Sequence, residues 1–290
     1  MSDHGLAKLA SLLLSFAGAV LPALAEVSVQ NPGEPELIYI FGKQAGPDPW
    51  PSFGVVRGTP LAFVLNPQGD LRGDKRPDIV LQRGFPPAVV WSYWDGVDFE
   101  IAFSEWDGAA WSVPRLLTDN AADDLDPKII LDAAGRPVIT WWRTDATPAV
   151  FSTRRTADGL WESETRVSQQ GESARTPAIA LPPDGHARIG YEVTGGPERQ
   201  VVVTRDNRIN PEDPPGYVPE IVATTPYTGD TQPIVSMRGT LTWVSWVHSA
   251  SLVGWSELRN GSWAIPQFEP YNGADDIEAA RFRIKNRLQP

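Results

Sequence analysis

Four copies of one plan run along most of this sequence: a Pro, an apolar run, a Gly-containing turn, and a second apolar run that holds an aromatic. The prolines are Pro77, Pro127, Pro177 and Pro233, spaced by 50, 50 and 56 residues, and the aromatics are Trp91, Trp141, Tyr191 and Trp246. The segment from Asp124 to Trp142, DLDPKIILDAAGRPVITWW, shows the plan most clearly. A period of this size with strand-type content marks a repeat architecture, in which each unit buries its apolar face only against its neighbours.

Each repeat divides into four short runs separated by turn residues. In the first, about 76–125, these are RPDIVL, PAVVWSYW, DFEIAFSEW and WSVPRLLT. The second (126–174), third (175–229) and fourth (230–272) follow suit, and an insertion from Asn207 to Gly216 accounts for the longer third spacing. Short β-rich runs with turns between them predict four-stranded antiparallel meanders. Twelve Trp and 28 Pro against two Met suit strands and turns better than helices.

The segment NGADDIE (Asn272 to Glu278) matches NAADDLD (Asn120 to Asp126), the lead-in to the second repeat. A fifth opening strand is therefore expected at Ala279 to Lys285, with the runs before Lys75 supplying its partners. The fold expected is an all-β propeller of five four-stranded blades, the closing blade built from 26–75 plus 273–290. Closure by both termini removes open sheet edges. The run TPLAFVLNPQGD (Thr59 to Asp70) is the misfit, since no second strand fits between it and Pro77.

Residues 1–25 read as a secretory signal, with Lys8, an apolar stretch from Leu9 to Leu21 and a small-x-small site at Ala23-Leu24-Ala25. The remainder, 26–290, reads as a single domain that is secreted or periplasmic, with no membrane insertion after signal cleavage. The chain has no Cys, which excludes disulfides, a thiolate nucleophile and Cys-ligated metals. Its net charge of −11, with no basic cluster to offset it, argues against nucleic acid and anionic membranes as partners.

The repeats resemble the BNR or sialidase-like β-propeller proteins, whose phrase of Pro, strand, Asp-x-x-Gly-x-Pro turn, strand and Trp is matched by LDAAGRPVITWW (Leu131 to Trp142). Those families also carry an Asp box, Ser-x-Asp-x-Gly-x-x-Trp. Ser104 to Trp111 and Ser256 to Trp263 keep its Ser and Trp but lack Asp at the third place. The resemblance spans roughly Arg76 to Glu278 and implies a fold. It transfers no catalytic role, because the Arg triad of true sialidases is not matched: there is no Phe-Arg-Ile-Pro start, and Arg143 is the one Arg in the loops that follow the second strands.

Three residues before each opening Pro, or its equivalent Ala279, stand Asp74, Asp124, Ala174, Asp230 and Asp276. The four Asp are expected either to cap their own loops or to share an ion near the axis, for which hard oxygen ligands suit Ca2+. The loops after the second strands differ between blades and offer Tyr93, Trp94, Trp142, Arg143 and His248 as ligand-binding candidates. Aromatic faces beside charged groups suit sugars, although Trp94 and Trp142 could equally pack between blades. Asp95, Asp145 and Glu192 are the carboxylates that a glycosidase would draw on, by position only. The first expectation is a non-catalytic propeller that binds a glycan or a protein partner. A glycoside hydrolase or lyase is the rival, and a structural subunit of an envelope assembly the third reading.

Overall fold

The computed structural model describes residues 26–29, 38–42, 61–64 and 75–271 except 83, 109, 195–199, 209–212, 223–229, 239 and 250, together with Ile277 and Arg281. Five antiparallel sheets follow one another along the chain. The first holds β1 (Glu26–Val29), β2 (Ile38–Gly42) and β3 (Leu61–Val64). The second holds β4 (Lys75–Val80), β5 (Ala88–Trp94), β6 (Phe99–Glu105) and β7 (Arg115–Leu116). The third is β8 (Asp124–Leu131), β9 (Pro137–Arg143), β10 (Ala149–Arg154) and β11 (Thr165–Arg166). The fourth is β12 (Ser173–Ala180), β13 (Arg188–Thr194), β14 (Gln200–Asp206) and β15 (Tyr217–Val222). The fifth has β16 (Thr231–Arg238), β17 (Leu241–Ser249) and β18 (Leu252–Arg259), with β19 (Ser262–Trp263) and β20 (Gln267–Pro270) both paired to β18. The opening strands β4, β8, β12 and β16 lie side by side in that order, and β1 lies beside β4. Together the four surround a cavity of about 420 Å³ lined by residues such as Val80, Ile130, Ile179 and Val235.

The prolines do not open these strands. Each opening strand starts two to four residues earlier, and its Pro sits inside it at a β-bulge, where the register slips between Lys75 and Asp78, Leu125 and Lys128, Arg175 and Ala178, and Thr231 and Ile234. The residue before each Pro has positive φ: Arg76 52°, Asp126 52°, Thr176 51° and Gln232 52°. A Pro has no N–H to give a ladder, so within a sheet it is tolerated at bulges and on edge strands, and these positions are both. Non-Gly residues in this region are strained, most of all the β-branched Thr176. Thr176→Gly is therefore expected to gain about 0.5–1 kcal/mol of stability, as read from urea unfolding midpoints. A loss of stability would show that the bulge is not strained there.

The core lies between sheets rather than within them. Trp91, Trp141 and Tyr191 are 0 % exposed and Trp246 1 %. Trp141 packs with Ile129 and Ile139 of its own sheet against Ala88, Val90, Ile101 and Phe103 of the preceding one. Trp246 packs in the same way against Ala178, Ala180, Val201 and Val203. Burying each such side chain contributes on the order of 2–3 kcal/mol. Polar links join the same neighbours: the Ile129 amide donates to Asp78 across 2.9 Å, and Arg155 meets Glu105 at 2.7 Å.

The outer hairpins that resemble Asp boxes close without the missing Asp. Ser104 donates to the Ser112 carbonyl at 2.9 Å and Ser256 to Ala264 at 2.6 Å. Thr153 makes the equivalent bond to Glu162 at 2.8 Å in the intervening sheet. The misfit run also finds its place, since Leu61–Val64 pairs with Ile38–Gly42. The expected strand at Ala279 to Lys285 falls largely outside the described residues, and Arg281 within it is helical rather than extended.

Candidate functional site

The first ends of the opening strands and the last ends of the second strands share one face of the molecule, as the pairing of Asp124 with Arg143 requires. Two of the four Asp, Asp124 and Asp230, are described on that face. Asp124 is 0 % exposed and takes both Arg143 Nε at 2.8 Å and Nη2 at 2.9 Å, while Asn120 donates to it at 2.8 Å. Asp230, also 0 % exposed, lies 2.6 Å from His248 Nδ1, and a ring nitrogen against a carboxylate is the donor. In the third repeat the matching pair is Ala174 opposite Val193. Each of these two Asp thus contacts its cross-strand neighbour. Asp74 and Asp276 lie outside the described residues.

Arg143 extends this pair outward, donating to both oxygens of Glu164 at 2.6 Å and lying 4.6 Å from the centre of the Phe151 ring. Burial works against its charge, but its hydrogen bonds to Glu164 and Asp124 outweigh that and push its pKa up.

The β5–β6 hairpin supplies what the sequence reading missed. Asp95, Asp98 and Glu100 bring carboxylate oxygens within 4.8 Å of one another. Asp95 Oδ1 shapes the turn by accepting from the Val97 amide at 2.7 Å and the Asp98 amide at 3.1 Å. Glu100, 1 % exposed, accepts from the Asn120 amide at 2.6 Å and from its side chain at 3.3 Å. Burial pushes Glu100 up to about 7, with Asp124 and Asp98 adding to the rise. Burial likewise raises Asp98, reinforced by Asp95, Asp123, Asp124 and Asp119. The segment before β8 closes over this hairpin, since the Phe99 amide donates to Asp123 at 3.2 Å and the Ile101 amide to Thr118 at 2.8 Å. A signal was present in the sequence: Asp98 directly precedes the strand that holds Glu100, two residues on, beside an Asp in a Gly turn.

The three carboxylates named as glycosidase candidates stand in different surroundings. Asp95 joins the hairpin cluster, Asp145 is exposed beyond β9, and Glu192 is buried in β13 with the Thr176 hydroxyl 3.4 Å away. Among the ligand-binding candidates, Trp142 donates its indole N–H to Asp126 at 2.9 Å and has the Arg175 guanidinium 5.9 Å from its ring centre. His248 is 5 % exposed and 4.5 Å from the Phe268 ring. Tyr93 is half-buried against Val89, Trp91 and Ala102. Trp94 is half-buried at the base of the acidic hairpin, 5.1 Å from Phe99.

No family model matches this chain, and no curated protein matches it by sequence. Solved structures do resemble it. A Hadza microbial sialidase matches with TM-score 0.53 at 10% identity, over 79% of this chain and 53% of that one, so the chain spans about half the length of that enzyme. A polysaccharide lyase of family PL25, an ulvan lyase bound to -[GlcA(1-4)Rha3S]-, matches with TM-score 0.52 at 12% identity, over 87% of this chain and 70% of that one. A protein of unknown function from Dyadobacter fermentans gives TM-score 0.51 at 10% identity, over 67% and 68% of the two chains. Likeness at such low identity bears on fold alone, and the fold is an all-β body built of four-stranded antiparallel sheets with propeller-like neighbours.

Proposed function

We propose that this protein binds a neutral or amino-sugar glycan, without cleaving it, on the face that carries the β5–β6 hairpin. The observation that carries the reading is Trp94, a half-buried indole directly before the exposed Asp95. An apolar platform flanked by acceptors is what a sugar ring requires, its C–H face stacking while its hydroxyls pair. The sialidase and the ulvan lyase among the structural neighbours are carbohydrate enzymes by name, which supports the same theme.

The ligand class follows from charge. Asp95, Asp98, Glu100, Asp119, Asp123 and Asp124 crowd this face, Arg143 is committed to Asp124 and Glu164, and the whole chain carries −11. Such a field repels sulfated and uronate polymers and tolerates uncharged or cationic sugars. Glu100 has the pKa of a general acid, yet it is 1 % exposed with both oxygens held by Asn120. A group so placed does not reach a glycosidic oxygen, which weighs against hydrolysis.

A polysaccharide array followed by calorimetry tests the reading. Binding to neutral or amino-sugar polymers is expected, with product analysis showing no cleavage, and Trp94→Ala is expected to weaken it at least tenfold. Silence across the array, or release of oligosaccharides, would remove the reading; undiminished binding by Trp94→Ala would remove the site.

A further inference from the structure

We propose that Asp95, Asp98 and Glu100 form a divalent-cation site that takes Ca2+. The site goes beyond glycan binding and does not depend on it. It differs in place from an ion on the axis, since all three ligands come from one hairpin and the strand after it.

Two independent observations carry the proposal. The first is convergence, with a ligand oxygen from each residue within 4.8 Å of the others. Three oxygens so placed have a common point no more than about 2.8 Å from each, so a shift of a few tenths of an ångström brings all three to the usual Ca2+ distance of about 2.3–2.6 Å. The second is Asp98 itself. Its side chain is turned inward, the residue is 7 % exposed, and both carboxylate oxygens are shielded from solvent with no hydrogen-bond donor. A buried carboxylate without a donor is costly, and a proton or a cation is what relieves it.

The surroundings favour the cation. Four further carboxylates, Asp95, Asp123, Asp124 and Asp119, act on Asp98. The Arg143 guanidinium already binds Asp124 and Glu164, and the Lys75 ammonium sits 4.0 Å from the centre of the Phe99 ring. Asp95 commits Oδ1 to the turn, which directs Oδ2 outward as its ligand. Because Asp95 is exposed, water completes the shell on that side. An uneven set of carboxylates plus water suits Ca2+, which accepts six to eight oxygens in flexible geometry, better than Mg2+, which demands a near-ideal octahedron.

The experiment uses the full chain, stripped with chelator, dialysed, and titrated with CaCl2, MgCl2 or NaCl at matched ionic strength. Calorimetry is expected to give one Ca2+ per chain, and Tm is expected to climb with the logarithm of Ca2+ concentration. Asp98→Asn removes a repelled charge, so it is expected to fold with a Tm no lower than that of the stripped wild type while binding Ca2+ at least tenfold more weakly. Asp95→Asn, at the exposed turn, is a second variant with the same expected loss. An equal Tm rise in NaCl would reduce the effect to charge screening and overturn the site, as would undiminished Ca2+ binding by both variants. Mg2+ binding as tight as Ca2+ would overturn the assignment of the ion.

Discussion

Asp206→Ala is expected to cost about 3–5 kcal/mol of stability, read from urea unfolding of the full chain. Asp206 is 2 % exposed and is the shared partner of two buried guanidinium groups. Arg208 donates to it from Nε at 2.9 and 3.0 Å and from Nη2 at 2.7 Å, and Arg154 reaches it from the neighbouring sheet at 3.4 Å. Without the carboxylate two buried cations face each other. Arg208 keeps Glu162 at 2.9 Å, but among the described residues Arg154 has no other ion pair. A cavity of about 300 Å³ borders the group and admits water, which holds the cost to this range rather than above it. A loss under about 1 kcal/mol would place the group among surface ion pairs.

Arg154 itself behaves differently in this account. Burial and the nearby Arg208 both lower its pKa, its Nε has no hydrogen-bond partner, and its link to Asp206 is long. Replacing a poorly satisfied buried ion by an apolar group of similar volume is often neutral or stabilising. Arg154→Met is therefore expected to stay within about 1 kcal/mol of wild type, and to recover part of the loss when combined with Asp206→Ala.

How far the fold was legible depends on which interactions repeat. The Pro spacing found the sheets because a strained bulge and an inter-sheet aromatic recur together, and both demand particular residue types at fixed places. The same regularity misplaced the strand starts. A Pro inside a strand is invisible as such until Arg76, Asp126, Thr176 and Gln232 are seen to carry the bulge. The Asp positions were equivalent in sequence yet not in role, because a carboxylate's partner lies across the strand pair: Arg143 for Asp124, His248 for Asp230. Asp98 and Glu100 escaped notice because they belong to one hairpin and to no repeat. Trp94 and Trp142 were indistinguishable as aromatics at strand ends, and the sequence does not show that the Trp142 indole N–H is bonded to Asp126.

The aromatic at the sheet interface admits a sharper test in the last sheet, where Trp246 stands directly opposite Gly254 on the adjacent strand. A Cβ on Gly254 would meet Trp246 Cε2 at 2.4 Å, so the indole lies flat on the space that a side chain would fill. Trp246→Ala is expected to cost about 3–5 kcal/mol through lost burial and a cavity against Ala178, Val201 and Val235. Gly254→Ala alone is expected to cost about 1–3 kcal/mol, because the added methyl forces the indole from a close-packed interface. In the Trp246→Ala background the same methyl enters empty space, and its cost should vanish or turn into a small gain. The double-mutant cycle should therefore show a coupling of about 1 kcal/mol or more, with the two changes together less harmful than their sum. Additivity within about 0.5 kcal/mol would mean that the indole and Gly254 do not share that space, and a loss under about 1 kcal/mol from Trp246→Ala alone would mean that this repeat is held by contacts other than its aromatic.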